Sequence, residues 1–193
     1  MFRANSFFLI RNVSLHEFKS IVLNNLHKEI IAKKLAKDPK SYSSKPPTQS
    51  SNHVLIDVRE LNELRNYGHV PFALHVPLQE LQDVLLDAAE VGRERKKNPD
   101  YLKDHFPNEA APEHDVMEDP VLEIGAPGEK QLIFFCGHGM RSQYALSIAE
   151  SCGYRENCCA HLPGGFTEYN QDPVTKEDVE QFVSEKEGKG DKK

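Results

Sequence analysis

Apolar positions follow two rhythms along this chain. Consecutive apolar residues closed by a polar turn read as strands buried on both faces, and two runs have that form: 54–58 (Val-Leu-Ile-Asp-Val) and 131–135 (Gln-Leu-Ile-Phe-Phe). Shorter stretches at 7–13, 74–76 and 157–162 predict three further strands. Between them the apolar residues recur three and four apart. Leu15, Phe18, Ile21, Val22, Leu26, Ile30 and Ile31 predict a helix running from a capping box at Ser14 and Glu17 to about Lys34. A short helix is expected over Glu60–Tyr67 and a longer one over Leu78–Val91. Tyr144, Ala145, Ile148 and Ala149 space another, which Gly153 is placed to end in a left-handed cap. A last helix follows a cap at Thr175 and carries Val179, Phe182 and Val183. Strands alternating with helices predict an α/β domain of three layers, a parallel sheet between helices.

Two stretches interrupt the alternation. Residues 38–52 are rich in Pro, Ser and Lys and read as a surface insert. Residues 92–128 form a long polar connection with five prolines, and from Asp87 to Lys130 twelve acids face six bases. The second insert is either a solvated loop or a docking surface. Glu185–Lys193 is a charged tail, expected to be disordered. The expected organisation is one domain over 1–175 with inserts at about 38–52 and 92–128, then a terminal helix and tail over 176–193.

Composition narrows the function classes. Across 193 residues, 24 Lys and Arg against 30 Asp and Glu leave a net charge of −6. That balance argues against general nucleic-acid binding, which needs clustered positive charge. The longest apolar run, Leu132–Cys136, is far below the ~18 residues of a membrane span, so no membrane partner is expected. Four cysteines are too few for a disulfide scaffold, and Phe7–Ile10 is cut off by Arg11 before it reaches the length of a secretory core. A reduced compartment follows, and the cytoplasm is the expected location. The basic bias through Lys34 (Arg3, Arg11, Lys19, Lys28, Lys33 and Lys34 against Glu17 and Glu29) makes mitochondria the alternative.

The chemistry concentrates in Cys136-Gly137-His138-Gly139-Met140-Arg141-Ser142, between a buried strand and a helix. Ligands bind at such strand ends in open α/β sheets. Two glycines let the chain curl so that successive amide N–H groups point inward, and with the helix N-terminus they form an anion cradle. A thiol there is favoured as the thiolate, which is the nucleophilic form. Arg141 adds a planar cationic fork suited to an oxyanion, and His138 is either a substrate-orienting helper or a solvent-facing residue.

Here the sequence resembles the single-domain rhodaneses. Val54–Glu60 is similar to that family's aliphatic-Asp-Val-Arg strand end, and Gly68-His69-Val70-Pro71-Phe72-Ala73, through Val76-Pro77, to its Gly-His-Ile-Pro-Gly-Ala segment. Cys136–Arg141 matches its active loop, and Leu162-Pro163-Gly164-Gly165-Phe166 its Gly-Gly-aromatic turn. Phe72 departs from the pattern, since the family often has Gly there, and a different turn shape is expected. The resemblance implies a rhodanese-like fold and a sulfurtransferase. It would move a sulfane sulfur from thiosulfate through a Cys136 persulfide to cyanide or to a thiol such as glutathione or thioredoxin. Gly137, His138, Gly139, Met140, Arg141 and Arg59 are the expected substrate-binding residues. Asp57 is expected to brace the loops, and Arg59 either joins it or helps to hold the anion.

Loop length bears on the rival chemistry. Cys136 to Arg141 is Cys-x4-Arg, whereas phosphatases of the same fold carry one residue more, which widens the cradle for a tetrahedral phosphate. By comparison with that family, the resemblance implies persulfide chemistry for a loop of six residues. A phosphatase or arsenate reductase, and a non-catalytic interaction domain, are the alternatives. Cys152, Cys158 and Cys159 read as small buried hydrophobes, with Cys158 and Cys159 pointing to opposite faces of a strand. They and His161 lack the spacing of a zinc site, and there is no Gly-x-Gly-x-x-Gly or Walker loop. No metal or cofactor is expected.

Overall fold

The structure, a computed structural model, describes residues 11–37, 52–98, 101 and 120–188. The expectations for residues 7–10, for 38–51, for 102–119 and for 189–193 lie outside those residues.

The elements run in the order α1 (Leu15–Lys37), β1 (His53–Asp57), α2 (Leu61–Tyr67), β2 (Ala73–His75), α3 (Leu81–Lys97), α4 (Pro120–Ile124), β3 (Gln131–Phe135), α5 (Met140–Ser151), a 3-10 turn (Glu156–Cys158), β4 (Cys159–His161), α6 (Gly165–Gln171) and α7 (Lys176–Gly188). The strands form one parallel sheet in the order β2-β1-β3-β4. Leu55 pairs with both Ala73 and Ile133, and Ile133 in turn with Ala160. Beyond β4, Asn12 bridges to His161, and Val13 N–H donates to the His161 carbonyl at 2.9 Å. The first predicted strand thus touches the sheet edge at 11–13.

The unbroken apolar runs follow from helices on both faces. Val54, Ile56, Leu132 and Phe134 pack in one core with Leu81, Leu85 and Ala88 of α3 and Ala145 and Ala149 of α5. Leu55, Ile133, Phe135 and Ala160 face the other core with Phe18, Ile21 and Val22 of α1 and Phe166 and Tyr169 of α6. The alternation is the strand's own two-residue period. Ser14 caps α1 by accepting from the Glu17 amide at 3.2 Å. Gly153 ends α5 at φ 92°.

Three boundaries move. Gly92 does not open an insert: α3 continues through it to Lys97, and Gly92 is buried where the returning chain crosses. A Cβ on Gly92 would sit 2.4 Å from that of Ala126, so the glycine is there for close approach. Pro120–Ile124 is helical within the expected insert, with Ile124 in the core. Glu185–Gly188, expected in the charged tail, are helical, because α7 runs to Gly188. The turn at Phe72 also differs from expectation: Phe72 adopts φ 59°, the left-handed shape that glycine takes readily, so the turn keeps a glycine-like form with a half-exposed aromatic in it. Among the described residues no helix is long and apolar enough to cross a membrane.

Candidate functional site

The loop from Cys136 to Gly139 joins the carboxyl end of β3 to the amino end of α5, at the centre of the sheet. Gly139 is the N-cap of α5 at φ 89°. A Cβ there would fall 1.9 Å from the Pro163 carbonyl oxygen, so only glycine fits. In this turn the Gly139 N–H donates to Cys136 Sγ at 3.2 Å, and the thiol is 2% exposed. One backbone amide therefore faces the sulfur, at the amino end of a twelve-residue helix.

The loop's carbonyls are held from outside. Phe166 N–H donates to the Cys136 carbonyl at 2.6 Å and Thr167 N–H to that of Gly137 at 3.1 Å, so the first turn of α6 grips the loop. No peptide bond among the described residues is cis. In a trans peptide the N–H opposes the carbonyl, so the Gly137 and His138 N–H groups point away from α6. The grip requires Gly165, whose Cβ would lie 2.2 Å from the Cys136 carbonyl oxygen. The Gly-Gly-aromatic turn is thus the outer half of the cradle.

Arg141 leaves the loop sideways. Its Nη1 and Nη2 donate to the two carboxylate oxygens of Glu63 on α2, at 2.6 and 2.7 Å. Glu63 also accepts from the Glu60 N–H at 3.0 Å, closing the capping box of α2, so the carboxylate is held by its own helix as well as by Arg141. The Arg141 hydrogen bonds hold the Glu63 carboxyl at about 2. Arg141 is shifted upward, first by Glu63 and to a lesser extent by the Cys136 sulfur beside it. His138 and Met140 are exposed at the rim, Met140 at 72%. Tyr144, expected on the packed face of α5, is 71% exposed instead; Ser142 takes that face with Ala145 and Ala149.

Arg59 is not at the cradle's opening. It is 1% exposed, and its Nε and Nη2 donate to Asp57 at 2.9 and 2.6 Å. Nη2 also reaches the Gly68 carbonyl at 2.9 Å, and the guanidinium stacks 3.8 Å from the centroid of Phe166. Arg59 is thus buried and paired with a carboxylate, one of its two expected roles, with Nε and Nη2 taken by Asp57 and the Gly68 carbonyl. Its position joins the strand-end Asp57, the Gly-His-Val-Pro segment and the Gly-Gly-Phe turn, and through the Phe166 N–H it supports the Cys136 loop. Asp57 accepts from the Arg59 amide as well, at 3.1 Å.

Sequence reasoning missed three groups. Glu63 carries no local mark, since its partner lies 78 residues away. Ser142 is fully buried and donates to the Gly139 carbonyl at 2.9 Å, with His161 Nδ1 at 3.1 Å from its oxygen. A signal for Ser142 existed: it falls in step with Ala145 and Ala149, and a hydroxyl on a buried helix face needs a partner. His161 belongs to β4 and is 5% exposed. Of the other thiols, Cys152 and Cys159 lie in the core, where burial pushes Cys159 up to about 12. Cys158 is half-buried, and all four cysteines are free. Among the described residues no three or more His, Cys, Asp or Glu are grouped to hold a metal ion.

The Rhodanese-like domain profile matches residues 39–172. The chain is 27% identical over 131 residues to a mouse protein named thiosulfate sulfurtransferase/rhodanese-like domain-containing protein 3, covering 68% of this chain and 66% of that one. Among solved structures, a human single-domain sulfurtransferase, TSTD1, is 21% identical with a TM-score of 0.44 over 84% of this chain and 97% of its own. An uncharacterised Saccharomyces cerevisiae protein is 22% identical with a TM-score of 0.45, over 86% and 94%. A Rhodopseudomonas palustris protein titled a possible tyrosine phosphatase is 17% identical, also at 0.45, over 86% and 83%. With most of the chain matched by one domain profile, and the four-stranded parallel sheet and strand-end cysteine in place, this protein belongs to the rhodanese-like domain family.

Proposed function

We propose that this protein is a sulfurtransferase that carries a sulfane sulfur from thiosulfate to a thiol or cyanide as a persulfide on Cys136. The observation that carries the reading is the cradle itself: a six-residue Cys136–Arg141 loop with the sulfur receiving the Gly139 N–H. A ring this short suits one added sulfur atom better than a tetrahedral phosphate.

In the first half-reaction the Cys136 thiolate attacks the outer sulfur of thiosulfate. A sulfur–sulfur bond forms, the original one breaks, and its electron pair leaves with sulfite. In the second, cyanide or a thiolate attacks the outer sulfur of the persulfide, taking it as thiocyanate or a new persulfide and returning the Cys136 thiolate. The covalent intermediate divides one transfer into two easier steps. Arg141 has five N–H donors, of which Glu63 holds two, and the rest serve the incoming anion and the charged sulfur. Such a thiol needs a reducing compartment such as the cytoplasm.

Intact-mass measurement after thiosulfate treatment tests this. The protein gains about 32 Da, one sulfur atom, and cyanide removes it with release of thiocyanate. Cys136→Ser loses both. No adduct on the wild type, or aryl-phosphate turnover abolished by Cys136→Ser, overturns the proposal.

A further inference from the structure

Ser142 and His161 form a buried hydrogen-bonded line that ends at the nucleophilic sulfur. Ser142 Oγ lies 3.9 Å from Cys136 Sγ, 2.9 Å from the Gly139 carbonyl oxygen and 3.1 Å from His161 Nδ1. All four residues are buried, so these are the contacts that satisfy the hydroxyl. A serine has one hydrogen, and a carbonyl only accepts. With that hydrogen on the Gly139 carbonyl, the Ser142 oxygen is an acceptor toward both remaining neighbours. His161 then carries its proton on Nδ1, and Cys136, while protonated, points its S–H at Ser142. When Cys136 ionises, its proton goes to water and the Ser142 oxygen loses one donor. Sulfur becomes an anion in need of donors. The Gly139 carbonyl does not depend on the serine, because it also accepts the Gln143 N–H at 3.0 Å.

We propose that His161 and Ser142 are positioning residues for Cys136, His161 Nδ1–H pinning the Ser142 oxygen while the hydroxyl hydrogen turns from the Gly139 carbonyl to the sulfur as it ionises. The inference deepens the proposed function, since it concerns the same sulfur. The cradle's other charged and titratable groups (Arg141 on the loop, Glu63 from α2, the Asp57–Arg59 pair from the end of β1, and His138 at the rim) stay unchanged in the variants that test it.

The test is the pH dependence of Cys136 alkylation by iodoacetamide, read on the Cys136 peptide by mass spectrometry so that the other three thiols do not contribute. Ser142→Ala raises the pH of half-maximal reactivity by about one unit, the worth of one hydrogen bond to a charged sulfur. His161→Leu raises it in the same direction. His161→Asn, whose side-chain amide presents an N–H near the Nδ1 position, restores the wild-type value. The Ser142→Ala/His161→Leu double variant moves no further than Ser142→Ala alone, because His161 acts only through the hydroxyl. Each variant's circular dichroism, recorded before alkylation, reports whether it is folded. An unchanged midpoint in Ser142→Ala, or equal midpoints in His161→Leu and His161→Asn, overturns the inference. The measurement uses no sulfur donor, so a protein that fails to take sulfur from thiosulfate yet shows these shifts refutes the transferase reading and leaves this one standing.

Discussion

Arg141 lays both terminal nitrogens on the Glu63 carboxylate, at 2.6 and 2.7 Å, and so ties the last residue of the cysteine loop to α2. The pair lies against the loop itself: a Cβ on Gly137 would stand 3.6 Å from Arg141 Nη2 and 3.7 Å from Glu63 Oε1. Glu63 therefore aims the guanidinium. Glu63→Gln keeps the shape and an oxygen for the Glu60 N–H but removes the charge that holds the fork. The expected result is about a tenfold fall in kcat/KM for thiosulfate, the scale of one charge-assisted contact. Because the carboxyl sits at about 2, the wild-type pair stays intact at every pH in ordinary use, and the loss should be the same at pH 6 as at pH 8. Steady-state kinetics at both values check it.

Arg59 gives the opposite expectation, a cost in stability without one in substrate affinity. It shares a buried pair with Asp57 and stacks on Phe166, and a lysine reproduces neither the fork nor the stacking plane. Arg59→Lys should lower unfolding free energy by about 3 kcal/mol, near the cost of breaking a buried pair. The KM for thiosulfate in the folded fraction should stay within about twofold of wild type, as expected when a contact is not made to substrate. Urea unfolding and kinetics on the same preparation separate the two roles.

These two arginines show where sequence reasoning stops. The strands were legible because helices cover both faces of the sheet, which forces 54–58 and 131–135 to be apolar throughout. The Cys136 loop was legible because cysteine, two glycines and arginine fall together at a strand-to-helix turn. Which carboxylate each arginine meets is decided by folding. Asp57 is two residues from Arg59 and visible as a neighbour, whereas Glu63 is far from Arg141 in the chain and reaches it only because β1 and β3 lie side by side. Gly92 misled for a related reason: in one dimension it resembles a helix breaker, and only the crossing at Ala126 shows why a helix keeps it.

Gly165 carries the cradle's outer half. Its φ of 62° and the closeness of the Cys136 carbonyl oxygen leave no room for a methyl group. Gly165→Ala must shift α6 away from the loop, releasing the Phe166 and Thr167 amides from their carbonyls. Stability should fall by about 2–4 kcal/mol from strain and lost hydrogen bonds. Sulfur transfer should fall further than stability alone explains, which activity measured well below the unfolding temperature will show.

His161 gives the fold a pH dependence whose sign follows from its burial. Desolvation in β4 lowers its folded value below the ordinary 6.5. The unfolded chain therefore binds more protons in that window, and stability rises with pH through it. The contribution is fully present above 6.5 and is lost as pH falls from there toward the lower folded value. Glu63 acts in the same direction in a separate, more acid window, its contribution present above 4.5 and lost toward about 2. Urea midpoints measured from about pH 7.5 down to about pH 5 should thus decline in the wild type through His161, before Glu63 begins to titrate. His161→Asn cannot take up a proton, so its midpoints should decline less over the same range. Parallel declines in the two proteins would assign the slope to other groups.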